Sequence, residues 1–177
     1  HCMLRKVVIA GPESTGKTTL ARRLASHFGT VFVEEYGRIY CEKFGNECDA
    51  FDLCHIAAGQ LLLEEQAMAV TSPKLLICDT DVLVTQTYAE LYLGKSPDVI
   101  VEMARRQSYD LYLLLSPDVP WSGDAIRLFE NRREWHFLRL KELLDEQHRS
   151  YAVIAGSFEQ RFERAVLLIR NLLRETV

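Results

Sequence analysis

The chain has 177 residues, of which 48% are hydrophobic and 26% charged, and its formal net charge is −4. These values are typical of one globular domain, which at this length buries roughly 70% of its unfolded surface, and they exclude a disordered chain. The negative charge argues against a general nucleic-acid-binding protein, and no apolar run reaches about 18 residues, the length of a membrane span.

Short apolar runs alternate with longer amphipathic segments, which is the pattern of an α/β domain with a parallel sheet. The predicted strands are residues 6–10, 31–33, 75–78, 111–115 and 151–154. The predicted helices are residues 17–27, 35–71 with a break near Gly45, 82–93, 97–106, a segment ending near His148, and 158–174. We expect a single domain over residues 3–177, with residues 1–2 interpreted as an expression remnant.

The first predicted strand runs into a glycine-rich loop. Residues 11–18, Gly-Pro-Glu-Ser-Thr-Gly-Lys-Thr, fit the pattern G-x-x-x-x-G-K-[ST] without a mismatch. Backbone N–H groups of such a loop bind phosphates at a helix N-terminus, a lysine reaches the β- and γ-phosphates, and a hydroxyl holds Mg²⁺. The loop therefore predicts binding of ATP or GTP with Mg²⁺, and we expect the lysine to be solvated without a nucleotide. The predicted nucleotide-binding residues are Gly11, Glu13, Ser14, Thr15, Gly16, Lys17, Thr18 and Thr19.

Acidic residues follow the second and third predicted strands, at the edge where open parallel sheets bind ligands. Asp79 is predicted to join Thr18 at Mg²⁺, as the Walker B residue, and the alternative for it is a helix N-cap. Thr80 or Asp81 is a more natural cap, and if both stay extended, Asp79 and Asp81 point to the same face. After the second strand, a carboxylate is suited to accept the proton of a substrate hydroxyl, and we favour Glu35 over its neighbour Glu34.

A polar segment rich in arginine follows the fourth predicted strand, over approximately residues 117–135. We interpret it as a helical lid whose guanidinium groups stabilise the charge of the transferred phosphoryl group. The alternative is an exposed helix in which the arginines pair with glutamates. Trp121 in this segment is either a hydrophobic anchor or a flat platform for an aromatic substrate. The arginines of the segment are Arg127, Arg132 and Arg133.

Five cysteines occur in the chain, and no two of them are spaced as Cys-x-x-Cys. Their spacing supports neither a zinc site nor a disulfide framework. Because no apolar signal segment precedes the domain, we expect a cytoplasmic protein.

Five segments together resemble a known family, the ribosylnicotinamide kinase domain of NadR-type proteins. In chain order they are GPESTGKTTLARRLA, EEYGRIY, CDTDVLVTQTYAELY, YDLYLLLSPDVPWSGDAIR and VIAGSFEQRFERA, and they cover almost the whole chain. The resemblance implies a P-loop NTPase fold of the nucleoside and nucleotide kinase type, a three-layer α/β sandwich with a five-stranded parallel sheet and a helical lid. It also implies phosphorylation of the 5′-hydroxyl of nicotinamide riboside by ATP and Mg²⁺, giving nicotinamide mononucleotide.

The resemblance also assigns roles by position. Residues 11–18 would hold ATP and Mg²⁺, and Asp79 would lie at the metal and the acceptor hydroxyl. Residues of the acceptor pocket and ribose would be Glu35, Tyr36, Arg38 and Asp81. Trp121 would stack on the nicotinamide, Arg127 would close from the lid, and Arg161 would lie near the adenine.

NadR proteins carry an adenylyltransferase domain, and some a DNA-binding domain, ahead of the kinase domain. Met3 lies almost at the first predicted strand, so we expect neither domain here. The expected partner is a small-molecule substrate, without nucleic acid or membrane, and a homo-oligomer is compatible with the sequence. Two further hypotheses remain: a kinase of another nucleoside or small metabolite, and an ATP-dependent regulatory switch.

Overall fold

The computed structural model describes residues 3–71, 73–119 and 128–175. Strands and helices alternate along these residues as the sequence pattern predicts. In chain order they are β1 Arg5–Ala10, α1 Lys17–Phe28, β2 Phe32–Val33, α2 Tyr36–Phe44, α3 Ala50–Thr71, β3 Leu75–Asp79, α4 Val82–Leu93, α5 Asp98–Arg106, β4 Leu111–Leu115, α6 Leu128–Glu146, β5 Tyr151–Ile154 and α7 Phe158–Arg174.

Within the described residues, the five strands form one parallel sheet in the order β2-β3-β1-β4-β5. The central strand β1 pairs with β3 on one side and with β4 on the other. Because the strands are parallel, their C-terminal ends lie at one edge of the sheet, where ligands bind in folds of this class. The predicted five-stranded parallel sheet is confirmed.

Side chains alternate between the two faces of β1 and so contribute to two separate cores. Val8 and Ala10 pack in a core with residues of α3, α4, α5 and α6. Val7 and Ile9 pack in a second core, between the sheet and the helices α1 and α7. The molecule therefore has helices on both faces of the sheet, which is the predicted three-layer arrangement.

The ends of several elements have local causes. Gly45 caps α2 with a φ of +93°, which confirms the predicted helix break at this residue. The N-terminus of α7 has a capping box between Ser157 and Gln160. Strand β2 is one residue shorter than predicted, and α5 begins one residue later. No helix among the described residues is both long and apolar enough to cross a membrane.

Candidate active site

The glycine-rich loop connects the C-terminal end of β1 to α1. Gly11 has a φ of +147°, and a Cβ at this position would lie 2.9 Å from the carbonyl oxygen of Leu115 in β4. Ser14 and Gly16 have left-handed conformations, with φ of +55° and +83°. Turns that contain left-handed residues next to a helix N-terminus form concave anion-binding backbones. The loop thus has the conformation that phosphate binding requires.

The lysine of this loop is buried, contrary to the expectation from the sequence. Lys17 is only 7% exposed. Its Nζ donates a hydrogen bond of 2.9 Å to the carbonyl oxygen of Pro12, which lies in the same loop. The loop carbonyl holds the ammonium group against the loop, where it borders the cavity described below. The positive charge is therefore already in position before a phosphate arrives.

Thr18 and Asp79 meet as the Mg²⁺ prediction requires. The Thr18 hydroxyl donates a hydrogen bond of 2.7 Å to Oδ2 of Asp79, and Oδ1 of this carboxylate is buried without a partner. Burial raises the pKa of Asp79, whereas the bond from Thr18 and the charge of Lys17 act in the opposite direction. A hydroxyl and a carboxylate oxygen with spare capacity fit Mg²⁺, which takes one or two protein ligands and completes its shell with water and phosphate. These two residues would hold the ion.

The segment after Asp79 differs from the extended conformation considered above. Thr80 has a φ of +77°, so the chain turns sharply between the two aspartates. Asp81 is 1% exposed and caps α4 by accepting a hydrogen bond from the backbone N–H of Val84. Its other oxygen accepts a bond of 2.6 Å from the hydroxyl of Tyr112. Asp79 and Asp81 therefore do not share a face, and the expected place of Asp81 beside a ribose is corrected to a buried cap.

A cavity of about 740 Å³ lies beside the glycine loop, between it and the helices α2, α3 and α4. This volume is within the range of about 300–1,000 Å³ that is usual for small-molecule sites. Ser14 and Lys17 of the loop border the cavity, and so do Glu35, Arg38 and Cys41 from α2 and its N-cap. The cavity therefore has both a carboxylate and the phosphate-binding loop in its walls.

Of the two neighbouring glutamates, Glu35 is the one in the cavity wall. Its side chain is 17% exposed, and Oε2 lies 3.7 Å from the guanidinium of Arg38, which also borders the cavity. The Glu34 side chain is 56% exposed, and its nearest cation, Arg22, is 4.0 Å away. The preference for Glu35 over Glu34 is thus consistent with the geometry, although the chemical role of Glu35 stays a prediction.

Gln60 of α3 fixes the backbone around Glu35 and was not identified from the sequence. It is 1% exposed, and its Nε2 donates a hydrogen bond of 3.1 Å to the carbonyl oxygen of Glu34. Its Oε1 accepts one of 2.9 Å from the backbone N–H of Tyr36. The peptide groups on both sides of Glu35 are therefore held by one side chain. A single amide within the apolar segment AAGQLLL was the available signal.

Tyr36 itself lies outside the cavity wall, in contrast to the acceptor-pocket role that the resemblance implies. Its ring packs against Gly59 of α3, where an added Cβ would lie only 2.1 Å from the ring. The glycine thus makes room for the aromatic ring between α2 and α3. The contact indicates a packing role for Tyr36.

Two tyrosines of α4 form an aromatic part of the cavity wall that the sequence reasoning also missed. Tyr88 and Tyr92 stack with ring centroids 5.9 Å apart, and an edge-to-face contact joins Tyr88 to His136 of α6. His136 is hydrogen-bonded to the hydroxyl of Thr87 at 2.6 Å, and burial, assisted by Lys17, lowers its pKa to about 3. The histidine is therefore neutral at physiological pH. Tyrosines four residues apart on a predicted helix were the sequence signal.

On the other side of the loop, Arg161 occupies a buried position. Its guanidinium donates to the carbonyl oxygens of Gly156 and Ser116, at 2.9 Å each, and forms an ion pair with Asp118. The residue borders a small cleft of about 30 Å³ together with Thr19. Its predicted place near the adenine stays a prediction.

Within the described part of the predicted lid, an arginine of α6 reaches the glycine loop. Arg133 is 5% exposed and donates to the carbonyl oxygen of Val119 at 2.9 Å and to that of Ser14 at 3.4 Å. The predicted stacking residue Trp121 and the predicted lid residue Arg127 lie outside the described residues. A cation from α6 thus contacts the backbone of the loop.

Comparison with known proteins identifies relatives along nearly the whole chain. A protein-family model described as "AAA domain" matches residues 6–161. The trifunctional NAD biosynthesis/regulator protein NadR of Escherichia coli K12 is 32% identical over 180 residues, and its counterpart in Salmonella typhimurium LT2 is 31% identical. In both cases the match covers 97% of this chain but 43% of the relative, so the chain spans less than half the length of these proteins.

Solved structures of similar fold agree with this relationship. A NadR protein in complex with NR has a TM-score of 0.82 and 25% identity, covering 96% of this chain and 51% of the other. A NadR protein in complex with NAD and AMP-PNP has a TM-score of 0.81, with 96% and 49% coverage. A thymidylate kinase of Ehrlichia chaffeensis, at 13% identity and a TM-score of 0.63, covers 94% of this chain and shares the fold. The chain has a P-loop kinase fold, resembles the NadR proteins, and belongs to the AAA-domain family.

Proposed function

We propose that the chain is an ATP- and Mg²⁺-dependent kinase that phosphorylates the 5′-hydroxyl of nicotinamide riboside. The observation that carries the proposal is the shared cavity of about 740 Å³, with Lys17 of the phosphate-binding loop in one wall and Glu35 in another. A kinase needs a donor site and an acceptor site that open into the same space. A nucleotide-dependent switch needs no such acceptor space.

In the proposed reaction, different residues of the site act on the acceptor, on the phosphates and on the metal ion. Glu35 accepts the proton of the acceptor hydroxyl as its oxygen bonds to the γ-phosphorus and the bond to the β–γ bridging oxygen breaks, releasing ADP. Lys17 exchanges its bond to Pro12 for the phosphate oxygens and stabilises their charge. Thr18 and Asp79 would hold Mg²⁺, and the bound ion would supply positive charge that offsets the charge of the phosphates.

Nicotinamide riboside is favoured as acceptor by two arguments. Solved relatives include a NadR protein with NR and another with NAD and AMP-PNP, although the chain spans only part of those proteins. The pyridinium ring of nicotinamide riboside is flat and positively charged, so aromatic faces attract it by stacking and by cation–π interaction. Tyr88 and Tyr92 supply aromatic rings in the cavity wall, and Trp121 is the further candidate from the sequence.

The test is a phosphorylation screen detected by mass, with ATP or GTP as donor and a panel of nucleosides that includes nicotinamide riboside. We expect a product about 80 Da heavier than nicotinamide riboside, which is the mass added by one phosphoryl group. Preferred phosphorylation of another nucleoside would support the kinase but replace the acceptor. ATP hydrolysis that no nucleoside stimulates would favour a regulatory switch.

Glu34 and Glu35 offer a matched pair of variants for the proton acceptor. Glu35→Gln should lower kcat by about 10²-fold or more, the usual contribution of a general base, with little change in KM for ATP. Glu34→Gln makes the same chemical change at the exposed neighbour and should keep wild-type kcat. The reverse result would show that the wrong glutamate has been chosen.

Trp121→Leu tests the acceptor more directly. Leucine stays apolar but has no aromatic face, so KM for nicotinamide riboside should rise about 3- to 30-fold if the ring stacks on the pyridinium. KM for ATP should not change, and KM for an uncharged nucleoside should rise less than KM for nicotinamide riboside. An equal rise of KM for both acceptors, or no rise for either, would indicate that Trp121 is a hydrophobic anchor.

A further inference from the structure

Thr80 combines a strained backbone with burial at the edge of the cavity. Its φ of +77° is left-handed, a conformation that residues branched at Cβ rarely adopt. The only other non-glycine residues with positive φ in the described parts of the chain are Ser14 and His148. Thr80 is held on both sides, since its N–H donates to the carbonyl oxygen of Ile9 at 3.0 Å and Asp81 caps α4. Strain of this kind persists where the surrounding structure fixes it, and it concentrates at functional sites.

The hydroxyl of Thr80 is among the buried polar atoms of the described residues that lack a hydrogen-bond partner. Oγ1 is buried and has no hydrogen-bond partner, although Thr80 is only 3% exposed. Some other buried or half-buried threonines do have partners: the Thr15 hydroxyl donates to the carbonyl oxygen of Pro12, and that of Thr30 donates to the carbonyl oxygen of Leu75. Buried polar atoms are almost always paired, so an unpaired one calls for an explanation. The adjoining Asp79 has an unpaired oxygen too, Oδ1, so two unsatisfied polar atoms occur in consecutive residues.

The position of Thr80 suggests which group completes this bonding. The residue borders the same cavity as Lys17 and Glu35, and it directly follows the carboxylate bonded to Thr18. It therefore lies in the cavity wall, next in the chain to the predicted metal ligand Asp79. Because Cβ branching restricts rotation about χ1, the hydroxyl is held within a narrow range of positions.

We propose that Thr80 is a substrate-contacting residue whose hydroxyl donates a hydrogen bond to an oxygen of the reacting groups, either the acceptor alcohol or the transferred phosphoryl group. The proposal rests on the proposed kinase function and adds to it a residue that replaces Asp81 as the polar contact after β3. The strained turn places Thr80 at the cavity, and its buried hydroxyl has to become accessible when the substrates bind.

The decisive variant is Thr80→Val, which keeps the shape and the branching but removes the hydroxyl. In the absence of ligand its Tm should equal or exceed that of the wild type, because no hydrogen bond is lost and an unsatisfied group disappears. Its kcat/KM should nevertheless fall about tenfold, which corresponds to 1.4 kcal/mol. Thr80→Ser keeps the hydroxyl and should retain most of the activity. A rise of acceptor KM alone would assign the bond to the acceptor alcohol, and a fall of kcat alone would assign it to the phosphoryl group.

Thr30→Val is the matched control, since its hydroxyl donates a bond of 2.5 Å to the carbonyl oxygen of Leu75, away from the cavity. It should lower Tm and leave kcat/KM unchanged, the opposite of Thr80→Val. A second readout avoids turnover: the rise of Tm on adding either a Mg²⁺-bound non-hydrolysable ATP analogue or nicotinamide riboside. At least one of these ligands should stabilise Thr80→Val less than the wild type.

Wild-type kcat/KM together with wild-type stabilisation by both ligands would overturn the proposal. If Thr80→Val does not fold, Thr80→Gly provides the same test, because glycine tolerates the positive φ and also lacks the hydroxyl. Full activity of Thr80→Gly would equally overturn it. A wild-type protein that phosphorylates no nucleoside would refute the proposed function instead, while unequal stabilisation by the ATP analogue would still support the contact at Thr80.

Discussion

Glu64 provides a quantitative test of the electrostatics beneath the site. It lies on α3, is 2% exposed, and accepts hydrogen bonds of 2.7 and 2.9 Å from the hydroxyl of Tyr109. Burial raises its pKa to about 7 from 4.5, and the charge of Asp81 adds to the effect, whereas the bond from Tyr109 opposes it. At about 1.4 kcal/mol per pH unit, this difference amounts to about 3 kcal/mol.

The direction of the pH effect follows from where the proton is bound. Below pH 4.5 Glu64 is protonated in both the folded and the unfolded chain. As pH rises from 4.5 to about 7, the unfolded chain loses this proton while the folded chain keeps it, so the free energy of unfolding falls. Above this range Glu64 is a buried carboxylate in the folded protein, and the free energy of unfolding falls no further. Glu64→Gln is neutral throughout and should not show this fall.

Urea denaturation at about pH 5, 6, 7 and 8 measures the effect as the difference between the variant and the wild type. Between pH 5 and 8 we expect the free energy of unfolding of Glu64→Gln, relative to that of the wild type, to grow by about 2.5 kcal/mol and to level off above about pH 7. Glu65→Gln changes the exposed neighbour and should leave stability unaltered at each pH. A difference between Glu64→Gln and wild type that does not vary with pH would refute the reasoning.

Three further predictions concern the site. Lys17→Ala should lower kcat by about 10²-fold, roughly 3 kcal/mol of transition-state stabilisation, and normal turnover of the folded variant would exclude the loop assignment. Asp79→Asn should raise the Mg²⁺ concentration needed for half-maximal rate, and an unchanged Mg²⁺ titration would remove Asp79 from the metal site. Gln60→Glu keeps an acceptor for the backbone N–H of Tyr36 but loses the donor to the carbonyl oxygen of Glu34. We expect kcat to fall about tenfold while KM for ATP stays constant, because one hydrogen bond contributes about 1–1.5 kcal/mol. An equal rise of KM for ATP would indicate a general structural defect instead.

Features encoded by neighbouring residues were predicted from the sequence. The five strands follow from short apolar runs, and the glycine loop follows from its spacing of residue types. Thr18 and Asp79 were both assigned to Mg²⁺ from the sequence, by the loop motif and by the position after an apolar run. The structure explains their contact, because α1 begins after β1 and β3 pairs directly with β1. Parallel pairing of two identified strands was enough to bring these two side chains together.

Features that depend on distant contacts were not predicted. The turn at Thr80 depends on the burial of Asp81 against Tyr112, which is 31 residues further along the chain. Gln60 acts on a backbone segment 24 to 26 residues away, and its amide could not be matched to those groups beforehand. The burial of Lys17 depends on which way a loop carbonyl points, a detail that spacing alone does not encode.

The central position of β1 has a consequence for how enzymes with this fold can diversify. Loops that follow β2 and β3, together with α2 and α3, lie on one side of the glycine loop, and those that follow β4 and β5 lie on the other. Substitutions in the first half can therefore reshape the cavity next to Glu35 while the phosphate-binding loop stays intact. An evolving lineage could in this way exchange one acceptor for another and keep the same phosphate donor. A directed-evolution library confined to the cavity-facing positions of α2, α3 and α4 should accordingly yield new acceptors more often than one spread over the whole chain.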